Sequence, residues 1–334
     1  MASSITSKIW SYGSPVLVVV ALGALATVEL EIPEIQIDRP VLETRDRYFG
    51  VEAVNADVAW VVGKDGKIAR TEDAGKSWTQ QEVGAISSLM DVAAWSADEA
   101  VIVGNDAVVL RTEDGGDSWE LIKDIPVASE GPGKLFRAKI DSTGRVWSVS
   151  ELNTIIYSDD RGKTWIRATD NEEDVAWNDI GFAGKQPCVV GEFGRIRCSV
   201  DHGETWEDRP IENQQSLMGV AFADEQHGVA VGLEGTIFAT ADGGLTWARA
   251  EMGKLNRHLF DVAWTGDEWL IVGDKGVLLR GNLDASNWSE ARVSTQDYAW
   301  HTAVSPAGDG AYIGGLNLGY WQDGDWTQFG RRRG

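Results

Sequence analysis

Chemistry in this 334-residue chain would have to come from carboxylates, because other reactive side chains are scarce. Three aspartates, Asp91, Asp179 and Asp261, and one arginine, Arg137, stand at matching places in recurring short runs. Three of these runs open on a large apolar or aromatic residue, Met90-Asp-Val, Phe136-Arg-Ala and Phe260-Asp-Val. Two carboxyls facing each other across a cleft are what glycoside hydrolysis needs, and a carboxyl with a raised pKa can serve as a general acid. The same four residues fit a plainer role, a polar channel lining that holds water or contacts a ligand. The four histidines (His202, His227, His258, His301) form no H-x-x-x-H or Cys/His grouping, so neither a metal nor another cofactor is expected. Cys188 and Cys198 flank a Val-Val-Gly-Glu-Phe-Gly hairpin. With Glu192–Gly194 as the turn, they fall opposite each other, as a disulfide or as two buried thiols.

The elements that position these residues repeat. Five segments share the box [ST]-x-D-x-G-x-[ST]-W: Thr71–Trp78, Thr112–Trp119, Ser158–Trp165, Ser199–Trp206 and Thr240–Trp247. Their aspartates, Asp73, Asp114, Asp160, Asp201 and Asp242, are spaced 41, 46, 41 and 41 residues apart. Worn copies end at Trp288 and Trp326. Each box is preceded by three short apolar runs and followed by a fourth. Four short strands in about 40 residues make one propeller blade, so seven units predict an all-β, seven-bladed β-propeller over residues 48–330. The letters of the box have structural reasons. Asp accepts hydrogen bonds from its own turn, Gly permits positive φ, and Trp (Trp78, Trp119, Trp165, Trp206, Trp247) buries a large ring between blades.

Ahead of the ring, Ile9 to Val28 is a run of 20 uncharged residues preceded by Lys8 and followed by Glu29, Glu31 and Glu34. It reads as a membrane anchor with the bulk of the chain exported, or as a signal peptide cleaved after Ala26. Residues 1–28 are therefore assigned to the anchor or signal, and 29–47 to a tether or a ring-closing strand. The 30 Lys and Arg against 52 Asp and Glu give a net charge of −22, which argues against nucleic acid as a partner.

The tandem box resembles the Asp-box repeats of bacterial neuraminidases. Through phrases such as VVGKDGKIARTEDAGKSW (61–78), it more closely resembles the photosystem II stability/assembly factor family of lumenal seven-bladed propellers. That resemblance implies a non-enzymatic chaperone that holds a membrane-protein subunit during assembly. Relatives in non-photosynthetic bacteria resemble accessory proteins of membrane transport systems, including RND-type exporters. Photosynthetic members engage their client through a basic patch, which a charge of −22 makes hard to build here. Arg70, Arg111, Arg195, Arg197 and Arg280 read instead mainly as strand-end solubilisers or as intramolecular partners of the acidic turns. Sialidase chemistry would need an arginine clamp and a Tyr–Glu pair, and the arginine signature that usually accompanies the boxes is absent.

The expectation is thus an exported, membrane-tethered scaffold with no catalytic residue, facing the periplasm or, in a photosynthetic cell, the thylakoid lumen. Its partner is an integral membrane protein or complex. An RND-exporter accessory subunit and a carbohydrate-active propeller are the alternatives. The expected contact face carries Asp65, Glu192, Phe193, Glu234, His258 and Lys275, with the channel residues Asp91, Arg137, Asp179 and Asp261, and lies opposite the boxes.

Overall fold

The computed structural model describes residues 40–330 apart from 85–86, 128–132, 170–172, 251 and 253–254. The expected anchor or signal peptide (1–28) and most of the expected tether or ring-closing strand (29–47) lie outside the described residues. Strand formation follows the apolar runs. The second strand of each blade, such as Ala59–Gly63, Ala100–Gly104 and Trp269–Gly273, is buried along its whole length, save for the half-buried Gln186 that opens it in blade four. It has a neighbour strand on each side and a neighbouring blade on each face, so it reads as a continuous apolar run rather than an alternating one. Seven antiparallel sheets result, each built from four consecutive strands. Their innermost strands are Tyr48–Ala53, Leu89–Ala94, Leu135–Ile140, Trp177–Ala183, Leu217–Phe222, Leu259–Trp264 and His301–Ala307. Outer strands are short and exposed, two residues in blades one to five, which limits the edge offered for stray pairing.

Strand alternation divides the loops between two faces. Box turns join third and fourth strands and share a face with the loops joining first and second strands, as the Ala74 N to Asp57 O bond (3.0 Å) shows. Within the first box, Asp73 accepts from Ser77 N (2.8 Å) and Ser77 Oγ (2.6 Å), and Thr71 Oγ1 accepts from Gly75 N (2.9 Å). Trp78 Nε1 then donates to Gly75 O (3.2 Å). The carboxylate pattern recurs at Asp114, Asp160, Asp201 and Asp242. Only the second indole differs, with Trp119 donating to Gln81 Oε1 (3.2 Å). The worn sixth copy keeps the indole bond, from Trp288 Nε1 to Ala285 O (2.9 Å).

Each well-formed box sends its Trp onto the preceding blade. Trp165 joins a cluster with Val101 and Val103, and Trp247 one with Cys188 and Cys198. Trp206 meets Trp147 edge to face at 6.2 Å. Trp78 meets Tyr312 of the last blade in the same way at 6.4 Å, and so helps to close the ring. The seam is completed by Ala53 N donating to Ser305 Oγ (2.9 Å) and Thr302 Oγ1 donating to Tyr48 O (3.3 Å). The last blade supplies its own four strands, as its four short runs suggest. The end of the proposed tether, from Pro40 to Arg47, packs on the ring: Leu42 is buried in the seam cluster and Asp46 pairs with Lys67 at 3.0 Å.

In blade four the turn Glu192–Gly194 sets the register Cys188↔Cys198, and the two sulfurs are joined in a disulfide. Closing a loop with a sequence separation of 10 residues stabilises by about 2–3 kcal/mol through the unfolded state. The Cys188→Ser/Cys198→Ser variant should lose that amount in a urea titration without reductant. Equal midpoints for the two proteins would contradict it.

Candidate functional site

The channel is built from equivalent positions on the innermost strands. The third residue of each strand pairs one place inside a register shift, and across the seven blades it is Gly50, Asp91, Arg137, Asp179, Gly219, Asp261 and Ala303. The four residues expected in the channel are therefore brought together. Arg137 lies 4.0 Å from Asp91, 3.8 Å from Asp179 and 3.9 Å from Asp261, and its Nη2 donates to Thr302 O (3.0 Å).

Each aspartate also reaches a backbone N–H of the following blade. Asp91 accepts from Ala138 N (3.0 Å), Asp179 from Val220 N (2.8 Å) and Asp261 from Val304 N (2.8 Å). These N–H groups face the channel, where no further strand exists to accept from them, so the carboxylates satisfy donors that would otherwise be buried unpaired. The small neighbours follow from this. A Cβ on Gly50 would lie 2.6 Å from Asp91 Oδ1 and 2.7 Å from Asp91 Cα.

Two members of the cluster were not among the expected residues. Lys139 Nζ donates to Asp179 Oδ2 (2.8 Å) and Val220 O (3.2 Å). Glu52 lies in the same cavity of about 250 Å³, with Asp91, Arg137, Lys139, Asp261, Phe222 and Trp264. Both stand two residues beyond the third position, on the same side of their strands, and that spacing is the signal that would have found them. Burial, reinforced by Asp91, pushes the Glu52 carboxyl up to about 8. Burial also raises Asp91, to about 6, against the opposing pull of Arg137. Asp261 is raised by burial in the same way, and Arg137 opposes the rise. Burial acts against the charge on Arg137, but Asp261, Asp91 and Asp179 outweigh it and keep the guanidinium protonated.

The expected contact-face residues lie where strand direction places them. Asp65, Glu192, Phe193, Glu234 and Lys275 occupy short 3-10 turns between second and third strands, and His258 precedes an innermost strand. Asp65, Phe193, Glu234 and Lys275 hold φ of 57°, 56°, 55° and 54°, left-handed backbone that side chains seldom adopt. Glu192 accepts from Ala176 N (3.1 Å), Asp274 accepts from His258 N (2.9 Å), and Glu234 N donates to His258 Nδ1 (3.3 Å). Phe193 is 66% exposed.

The five arginines singled out in the sequence are internally engaged. Arg70 pairs with Glu72 (2.8 Å) over the Trp60 ring, Arg280 with Glu268 (2.8 Å) over Trp321, and Arg111 with Glu113. Arg195 and Arg197 share Glu173 and Asp208. Among the described residues no group of three potential metal ligands is present.

Four-stranded blades, inter-blade aspartates and tandem boxes define an Asp-box propeller with seven blades. The profile of the photosynthesis system II assembly factor YCF48 family matches residues 34–145 and 200–304, well over half the chain, and the chain belongs to that family. Over 94 residues it is 29% identical to the photosystem II assembly lipoprotein Ycf48 of Synechococcus sp. (strain CC9902), covering 27% of this chain and 28% of that protein. Over 117 residues it is 25% identical to the chloroplastic photosystem II stability/assembly factor HCF136 of Arabidopsis thaliana, covering 33% and 29%. These alignments span less than a third of either relative. A solved structure of YCF48 bound to D1 peptide superimposes with a TM-score of 0.67 at 19% identity, covering 86% of this chain and 93% of that one. At that identity the likeness is one of fold.

Two outcomes follow for the channel. Because the folded state holds the Glu52 proton up to about pH 8 while the unfolded chain releases it near 4.5, this group lowers stability as pH rises between those values. Glu52→Gln should therefore melt higher than the native protein at pH 8.5, by about 2 °C or more, with a smaller gap at pH 5. An equal gap at both pH values would refute this. Arg137→Met strips the central cation from three carboxyls and should cost about 3–5 kcal/mol at pH 8, with part of the loss recovered at pH 5. Denaturant titrations at the two pH values read both numbers.

Proposed function

We propose that the chain is a non-enzymatic assembly scaffold that binds a segment of a membrane protein while its complex is built. The observation that carries this reading is the match of residues 34–145 and 200–304 to the photosynthesis system II assembly factor YCF48 family, and a propeller of the same fold has been solved bound to D1 peptide. The named relatives, an assembly lipoprotein and a chloroplastic stability/assembly factor, point the same way. The channel chemistry agrees with it. The three aspartates that would serve a hydrolase each hold a backbone N–H of the next blade, so moving one into a proton-transfer role would unpair an inter-blade contact.

Placement outside the cytosol is part of the proposal. The Cys188–Cys198 disulfide suits an oxidising compartment, and the apolar run of residues 9–28 supplies an export signal or a tether. A tether would keep the disc at high effective concentration beside its client. The engaged arginines leave little for the basic patch of the photosynthetic type, so the client contact here rests on other surfaces. The exporter-accessory and carbohydrate readings gain nothing from the comparisons.

Affinity purification of the tagged full-length chain from its own membranes in mild detergent tests the reading. One integral membrane protein should co-purify in near-stoichiometric amount. Recovery of the chain with no membrane partner, in a soluble form trimmed near residue 26, would overturn it.

A further inference from the structure

Each of the seven innermost strands carries a register shift at its second residue, so that one extra residue stands unpaired with the second strand. Around the ring these residues are Phe49, Met90, Phe136, Asn178, Met218, Phe260 and Thr302. A bulge re-aims its side chain, and here the other edge of the strand borders the channel. The strands start on the face away from the boxes, so the seven bulges encircle the channel mouth on that face.

Five of the seven are large apolar residues, all only half-buried, and none belongs to the seven core clusters or packs against one. Three of them meet neighbours in the rim: Phe49 stacks on Trp300 at 6.4 Å, Phe260 on His258 at 6.4 Å, and Met218 Sδ meets Asn178 Nδ2 at 3.6 Å. Core packing accounts for every other position of these strands that repeats an apolar type. It does not account for this one. A ring of apolar side chains kept half-exposed in a chain of net charge −22 is what an interaction site looks like.

The charge beneath the collar identifies what it takes. The next position inward holds the carboxyls of Asp91, Asp179 and Asp261, faced by two cationic side chains, Arg137 at the same level and Lys139 two residues on. We infer that the channel mouth opposite the boxes is a docking site for an apolar peptide segment of a partner protein that carries a lysine or arginine. The apolar side chains lie on the Phe and Met collar, and the cation is directed at the surplus of channel carboxyls. This deepens the scaffold reading and rests on it, since it names the part of the disc that holds the client segment.

Binding is read by fluorescence anisotropy with the full chain in mild detergent and two labelled synthetic peptides. The peptides share one Leu/Phe-rich sequence and differ only in a central Lys or Glu. The Lys peptide should bind ~10-fold more tightly than the Glu peptide. Phe49→Ser/Phe260→Ser and, separately, Met90→Ser/Met218→Ser should each weaken it ~10-fold or more with the thermal midpoint held, because these side chains lie outside the core clusters. Leu245→Ser, exposed on the box face, should leave it unchanged.

Native-like binding in both collar variants would overturn the proposal, as would equal binding of the Glu peptide. Self-association of the native chain that the collar substitutions abolish would assign the mouth to a second copy, and would overturn it too. Failure here is separable from failure of the scaffold reading. A membrane partner that still co-purifies with the collar variants keeps the scaffold and removes the collar, whereas a native chain with no partner removes the scaffold itself.

Discussion

The inner edge of a closed propeller has no further strand to pair with, and its backbone N–H groups would be stranded around the axis. In this chain side-chain oxygens of the neighbouring blade meet that demand. Asp91, Asp179 and Asp261 bridge blades two to three, four to five and six to seven, and Ser305 bridges seven to one. Once three carboxylates stand around one axis, their repulsion has to be met. Arg137 does so from the equivalent position of blade three, and Lys139 adds a second cation two residues on. The glycine at position 50 and the raised carboxyl of Glu52 are consequences of the same crowding.

The rim is held by a different device. Each boxed aspartate folds its own turn, with hydroxyl and backbone donors holding the Asp114 and Asp201 carboxyls down to about 2. The tryptophan that ends the box then reaches the preceding blade, so a purely local motif also sets the contact between neighbours. Axis and rim thus divide the labour: carboxylates bind blades together at the centre, indoles farther out. Both sets of carboxylates are thereby committed to holding turns and blades in place.

Much of this was legible because repetition turns spacing into geometry. The 41-residue step of the boxes fixes the blade count, and counting outward from Glu192–Gly194 places Cys188 opposite Cys198. Asp91, Asp179, Asp261 and Arg137 could be grouped because they share one position in a repeat. Glu52 and Lys139 escaped that reading because their counterparts in the other blades are Ala, Gly and Ser, so only their two-residue offset from the channel position marks them. The inter-blade hydrogen bonds were equally silent, since nothing in a single sequence says which N–H lacks a strand to pair with. The large residue that opens each run was visible from the start, but only the register shift separates a bulged residue from a core residue.

Among the described residues no strand is shared between the first and last blades, and each of the seven sheets is built from four consecutive strands. A ring latched by a strand from its own N-terminus must keep that strand unpaired until the last blade exists. Here each blade can complete its hydrogen bonding from residues only a few tens apart, in the order in which they emerge during synthesis or translocation. Only the final apposition of blades one and seven is long-range, and it is made by side chains such as Trp78, Tyr312 and Ser305. The described chain therefore presents few unsatisfied edges at any stage of its growth, which limits the openings for stray edge-to-edge pairing.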